Sequence, residues 1–123
     1  MVAAVGLAVA VRLLVPPPPP EPRARAYPIP SPERRVTVEV LNGTRRAGVA
    51  RAATRMLRRR GLDVVFFGNA EETVDSTRVV VRRGDPVRGR DVRLALGAGR
   101  IVIESDTLRR VDVSVMLGED FVR

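Results

Sequence analysis

The chain contains no cysteine, histidine or tryptophan, and no lysine either, so all 22 of its basic residues are arginine. Without Cys or His there is no thiolate nucleophile, no imidazole base and no Cys/His zinc site, and without Lys there is no Schiff-base amine. Catalysis would need a carboxylate pair or an unusually activated Ser or Thr. The acids of the C-terminal part (Asp63, Glu71, Glu72, Asp75, Asp85, Asp91, Glu104, Asp106, Asp112, Glu119 and Asp120) sit mostly beside turn signals. No catalytic residue, cofactor or metal site is therefore expected, and the protein reads as a non-enzyme. Aromatics make up only 3% of the 123 residues, so a core has to be built from Val, Leu, Ile, Ala and three Phe. The lack of Cys fits an oxidising exterior and a reducing cytosol equally. Arg without Lys fits a GC-rich coding bias as well as selection for guanidinium, which lowers the weight of any single arginine.

What is present divides the chain into three. Residues 1–15, MVAAVGLAVAVRLLV, are apolar apart from Arg12. At 1.5 Å per residue they reach about 22 Å, short of the ~30 Å hydrocarbon core, and they lack the basic start of a signal peptide. They read as a membrane anchor whose first residues lie upstream of Met1, or else as a merely apolar tail. The anchor is preferred, because solvating such a run at a free terminus is costly. Arg23, Arg25, Arg34 and Arg35 follow it and favour a cytoplasmic C-terminal side, against the outward orientation. Residues 16–35, PPPPPEPRARAYPIPSPERR, read as a polyproline II stalk of roughly 60 Å at ~3.1 Å per residue, with docking of a Pro-rich ligand to a partner as the alternative. Residues 36–123 carry the folded domain.

There, VTVEVL (36–41) alternates like a strand, Asn42-Gly43 signals a turn, and Thr44 is placed to cap a helix. Val49, Ala52, Ala53, Met56 and Leu57 recur at helical spacing before Gly61 ends the helix. LDVVFF (62–67) and TRVVVR (77–82) are further strands. Asp85-Pro86 opens a second helix carrying Val87, Val92, Leu94, Ala95 and Leu96 and ending at Gly97, with Gly89 costing it about 1 kcal/mol. Residues 100–104 and 111–117 complete a β-α-β-β-α-β-β order. The fold class is thus α/β, a two-layer sandwich with two helices on one face of a small sheet. A sheet edge at the last strand would offer a place for self-pairing.

The pieces VEVLNGT, AGVARAATRMLRRRGLDVV, GNA, TRVVVRRGD, LALG and DVSVMLGEDF resemble the C-terminal accessory domain of the LytR-CpsA-Psr cell-envelope proteins. The likeness spans Val36 to Phe121. Its most specific parts are the strand-Asn-Gly-Thr-helix entry and the closing Val115 to Phe121. The resemblance implies an accessory domain with no established catalytic residues. It is found after a glycopolymer transferase domain or alone behind a single membrane anchor, and this chain resembles the stand-alone form. Arg45 stands where the family often has a glycine.

Two features are candidate binding elements. Asn42, Gly43 and Thr44 make a turn whose amides could cradle phosphate, although the same residues also make an ordinary turn and cap. Behind it, residues 45–60 hold seven arginines (Arg45, Arg46, Arg51, Arg55, Arg58, Arg59, Arg60) and no acid, whereas the domain as a whole has 17 arginines against 12 acids. Arg51, Arg55 and Arg59 repeat every four residues, a spacing at which like charges repel. The segment reads either as a solvated face or as a face for polyanions. The favoured partners are an anionic cell-wall polymer, peptidoglycan or a LytR-CpsA-Psr transferase, met outside the cytoplasm by a domain held to the membrane through its N-terminal segment. A protein adaptor with an apolar contact surface is the alternative. Nucleic acid is a weaker one, because no aromatic stacking residues accompany the arginines and no helix-turn-helix spacing is seen.

Overall fold

The computed structural model describes residues 35–106 and 108–122. The expected anchor, and the stalk apart from Arg35, lie outside them. Among the described residues no helix is long and apolar enough to cross a membrane. The elements are β1 (Thr37–Asn42), α1 (Val49–Arg59), β2 (Asp63–Asn69), β3 (Arg78–Val81), α2 (Val87–Leu96), β4 (Arg100–Ile103) and β5 (Val113–Leu117). A short 3-10 turn, Glu119–Phe121, follows β5. This is the expected α/β order.

The five strands form one sheet in the order β2-β1-β5-β3-β4. β1 pairs parallel with β2, and β3 pairs parallel with β4, so the chain makes two β-α-β units, each crossing over through its helix. β5 joins them, running parallel to β1 and antiparallel to β3. The last strand is thus central, and the expected edge there does not exist. The edges are β2 and β4. β5 suits the middle because both of its faces are covered: Val113, Val115 and Leu117 are fully buried on the helix side and Ser114 is buried on the other.

The core lies between sheet and helices. Val38, Val40, Val79, Val113, Val115 and Leu117 meet Val49, Ala53, Leu57, Val92 and Leu96. Each fully buried Leu or Val contributes about 1.5–3 kcal/mol relative to exposure. Two stripes along α1 share Val49, Ala53 and Leu57, and helical spacing alone fits both. Packing selects the one that adds Ala50 and Thr54, leaving Ala52 and Met56 outside, a correction to the expected face. α1 closes where expected: Leu62 N–H reaches the Leu57 carbonyl and Gly61 N–H the Arg58 carbonyl, with Gly61 at φ 81°. Asp85 also caps as expected, its Oδ1 accepting from Val87 N–H at 3.0 Å. Gly89 has a packing reason: a Cβ there would lie 2.5 Å from Val81 Cγ2, so glycine lets α2 settle onto β3.

On the sheet face away from the helices, the chain after β4 crosses back and uses its charges internally. Glu39 is buried and accepts from Ser114 Oγ at 2.6 Å and from Arg109 at 2.7 Å. Asp112, buried at the entry to β5, accepts from the Thr37 amide at 3.0 Å and hydroxyl at 3.1 Å, and pairs with Arg88 at 2.8 Å. Each buried carboxylate is therefore compensated, as burial of a charge requires.

Candidate functional site

The turn after β1 is closed upon itself. Asn42 Oδ1 accepts from the Thr44 amide at 2.9 Å and hydroxyl at 2.6 Å, while Asn42 Nδ2 donates to the Arg46 carbonyl at 2.8 Å. Gly43 N–H donates to the Leu117 carbonyl at 2.8 Å, Arg45 N–H to Glu119 Oε1 at 2.7 Å, and Arg46 N–H to Thr44 Oγ1 at 3.2 Å. The four successive amides that a phosphate cradle would present each have an acceptor within the protein, and a carboxylate already stands at the one an anion would approach. Of the two readings of Asn42, Gly43 and Thr44, these bonds favour the structural one. Thr44 is not the helix cap: α1 begins only at Val49, after Gly48 at φ 83°, with no side-chain cap. The Thr44 hydroxyl is spent inside the turn, in the local side-chain to backbone bonding that competes with capping.

The closing residues complete this joint. Asp120 Oδ1 accepts from the Thr77 amide at 2.9 Å and hydroxyl at 2.6 Å, and the same hydroxyl accepts from Gly118 N–H at 3.0 Å. A Cβ on Gly43 would meet the Leu117 carbonyl oxygen and Val74 Cγ2, each at 2.7 Å. The two most family-specific stretches of sequence, distant along the chain, thus meet in space and lock β1, β3 and β5 together.

The arginines of the basic segment are left outside this economy. Arg45, Arg46, Arg51, Arg55, Arg58, Arg59 and Arg60 are all exposed, and among the described residues none makes an ion pair with an acid. Elsewhere among these residues Arg35, Arg82, Arg83, Arg88 and Arg109 do, whereas Arg78, Arg90, Arg93, Arg100 and Arg110 do not. The first turn of α1 holds no acid, and Arg45 and Arg46 precede its positive dipole end, where cations are unfavourable. Arg58 and Arg59 in the last turn are favourably placed. The structure regroups the row: Arg58 donates to the Val64 carbonyl at 2.9 Å, and Arg51 and Arg55 line a groove together with Phe67, Gly68 and Asn69 of β2, so 51-55-58 is the line on the side of this edge strand. Arg59 is exposed but does not share these contacts.

Arg51 and Arg55 share a groove of about 330 Å³ with Gly48, Phe67, Asn69 and Asn42, at the C-terminal ends of β1 and β2. Phe67 is the residue that sequence reasoning missed, since nothing near it in the chain is basic. A β-bulge between Val38 and Glu39 of the ladder leaves Val65 unpaired and sets Phe66 opposite Glu39 and Phe67 opposite Val40. The two rings therefore point to opposite faces of the sheet, and Phe67 comes to the helix side beside the arginines. Contrary to expectation, one aromatic does accompany the basic helix. Exposed apolar side chains also mark both sheet edges: Val65 and Phe66 on β2, Ile103 on β4 and Leu94 on the neighbouring α2.

Comparison with protein families matches residues 35–121 to the LytR C-terminal family, described as LytR cell envelope-related transcriptional attenuator. Among solved structures, the soluble domain of a conserved hypothetical secreted protein from Mycobacterium marinum is similar, with a TM-score of 0.54 and 20% identity. The alignment covers 70% of this chain and 60% of that one, and at this identity the likeness concerns the fold alone. No curated protein matches the sequence.

Proposed function

The chain belongs to the LytR C-terminal family of cell-envelope proteins, and from that premise we propose that it is a non-enzymatic accessory protein that docks on an anionic wall polymer through the outer side of α1. Peptidoglycan or a glycopolymer transferase is the alternative partner for the same face. The observation that carries the reading is the run of seven exposed arginines on one segment, with no acid in that segment and no acid partner among the described residues. In this reading the domain stands outside the cytoplasm at the end of the proline-rich stalk, and the anchor holds it within reach of the wall. Each exposed arginine contributes little alone, so attraction is multivalent and screened within about 10 Å at 0.1 M salt.

The test is titration of the full 123-residue chain, held in a non-ionic detergent, with long-chain polyphosphate as the simplest repeating anion. Binding is expected to weaken steeply as salt rises and to be lost in the triple variant Arg51→Glu, Arg55→Glu, Arg59→Glu, with the far-UV spectrum unchanged. Retained binding by that variant would remove α1 as the docking face. The exposed apolar residues of β2 and β4 support a second reading, a protein adaptor that ignores the arginines, and that reading would then take precedence.

A further inference from the structure

The groove between α1 and the C-terminal ends of β1 and β2 has a composition that the polyanion reading does not require. A surface that only attracts charge needs arginines on an open convex face. Here two guanidinium groups, Arg51 and Arg55, share a concavity with the half-exposed ring of Phe67 and the exposed amide side chain of Asn69. Its volume, about 330 Å³, falls in the range of small-molecule sites, ~300–1,000 Å³. We infer that this groove is a subsite for one anionic saccharide unit, the sugar ring lying on Phe67 and its phosphate or carboxylate held by Arg51 and Arg55.

This inference rests on the polyanion reading and names the unit recognised. Each part of the groove has a role in it. Guanidinium groups match the planar geometry of phosphate and carboxylate oxygens and are weakly hydrated, so they give up water at small cost. The Phe67 ring supplies a flat apolar surface, which a sugar ring covers with its C–H face. Asn69 places an amide donor and acceptor at the rim, within reach of hydroxyls. Asn42 lines the floor but takes no part, because its oxygen and its amide nitrogen are both bound within the turn.

A nucleic-acid strand is less well served. Single-stranded binding uses successive aromatics as a stacking platform. Here the neighbouring ring, Phe66, is on the opposite face of the sheet, paired with Glu39 rather than Val40. One ring and two arginines fit one unit of a glycan, not a run of stacked bases.

The experiment uses the full chain in detergent with defined probes: N-acetylglucosamine 1-phosphate, glucuronic acid, N-acetylglucosamine, inorganic phosphate and an eight-base oligothymidine, each followed by NMR shifts and calorimetry. The sugar phosphate or the uronate is expected to bind better than either the neutral sugar or free phosphate, and the better of the two identifies the anion. Phe67→Ala is expected to weaken it about fivefold to tenfold, the worth of one aromatic contact, and Phe67→Tyr to restore it. Polyphosphate affinity in Phe67→Ala is expected to stay within about twofold, since that probe has no ring. If polyphosphate binds through α1 but sugar phosphate binds no better than phosphate, or Phe67→Ala leaves it unchanged, the subsite is refuted and polymer docking survives. If neither polyphosphate nor any saccharide binds, both fall. Tighter binding of oligothymidine, weakened by Phe67→Ala, would overturn the saccharide assignment in favour of nucleic acid.

Discussion

The turn from Asn42 to Arg46 and the helix that follows it, Val49–Arg59, are adjacent in the chain yet are built on opposite terms. In the turn, Gly43, Thr44, Arg45 and Arg46 all donate their amides to acceptors of the protein itself, two of them supplied by Leu117 and Glu119 from the far end of the chain. On the outer side of the helix, guanidinium groups stand without acids and repel one another at every fourth position. The amides of the turn are all engaged and leave none for an anion, although the side chains of Arg45 and Arg46 stay exposed. The helix face instead leaves its guanidinium groups to solvent, where they remain open to an anionic partner under the proposed function. The amides of the Asn42-Gly43-Thr44 turn and the arginine row of the helix are therefore different candidate elements, although only seven residues lie between Gly43 and Arg51.

The strongest way to break this comparison is at Gly118. A Cβ there would stand 2.4 Å from the Ser76 carbonyl carbon, 2.7 Å from the Ser76 nitrogen and 2.8 Å from the Asp75 carbonyl carbon, all backbone atoms that no rotamer change can move. Gly118→Ala is expected to cost about 3 kcal/mol, seen as a lower urea midpoint at unchanged slope. Polyphosphate affinity of the remaining folded protein should be unaltered. A loss under about 1 kcal/mol would mean that the joint yields easily and that its glycine is not a packing requirement.

Much of this architecture was legible in the sequence. Alternation in VTVEVL and the apolar runs at 62–67, 77–82 and 111–117 identified the strands. Asp85-Pro86, Gly61 and Gly97 identified helix ends, and the β-α-β-β-α-β-β order and one-sided helices follow from them. What could not be read depends on long-range contact. Position 44 carries a good capping residue, but Asn42 and Arg46 occupy its hydroxyl, so the helix starts five residues later. The last strand looks like an edge until its Val113, Val115 and Leu117 are seen to need cover on the helix side, which only a central position gives in full. The arginines were visible, but not their division into those on the side of β2 and those elsewhere. Phe67 was invisible as a site residue because a single bulge decides which face of β2 it occupies.

A finer probe addresses the turn as an anion site. Glu119→Gln keeps an acceptor for Arg45 N–H but removes the charge, and is expected to cost about 0.5–1 kcal/mol. Because phosphate stabilises folded proteins in general by exclusion from their surface, the informative quantity is the excess stabilisation of the variant over the parent. None is expected. Recovery of the lost stability by phosphate in Glu119→Gln alone would show that the carboxylate merely fills a place that an external anion can take, and the turn would return as a binding element.

The smallest effect is expected where the arginines themselves are removed. In the triple variant Arg51→Gln, Arg55→Gln, Arg59→Gln, two i,i+4 repulsions disappear, each worth about 0.2–0.5 kcal/mol, while three exposed side chains keep comparable helix propensity. Stability should change by no more than about 1 kcal/mol, in favour of the variant at low salt and shrinking toward zero as salt rises. The parent should gain in melting temperature as salt screens its helix, and the variant should gain less, because the repulsion being screened has gone. Arg58 is left in place because its bond to the Val64 carbonyl ties α1 to β2, and removing it would mix a structural loss into the reading. A loss above about 1 kcal/mol in the triple variant would mean that the arginine stems cover apolar surface along the helix, and so that this face contributes to the fold as the turn does.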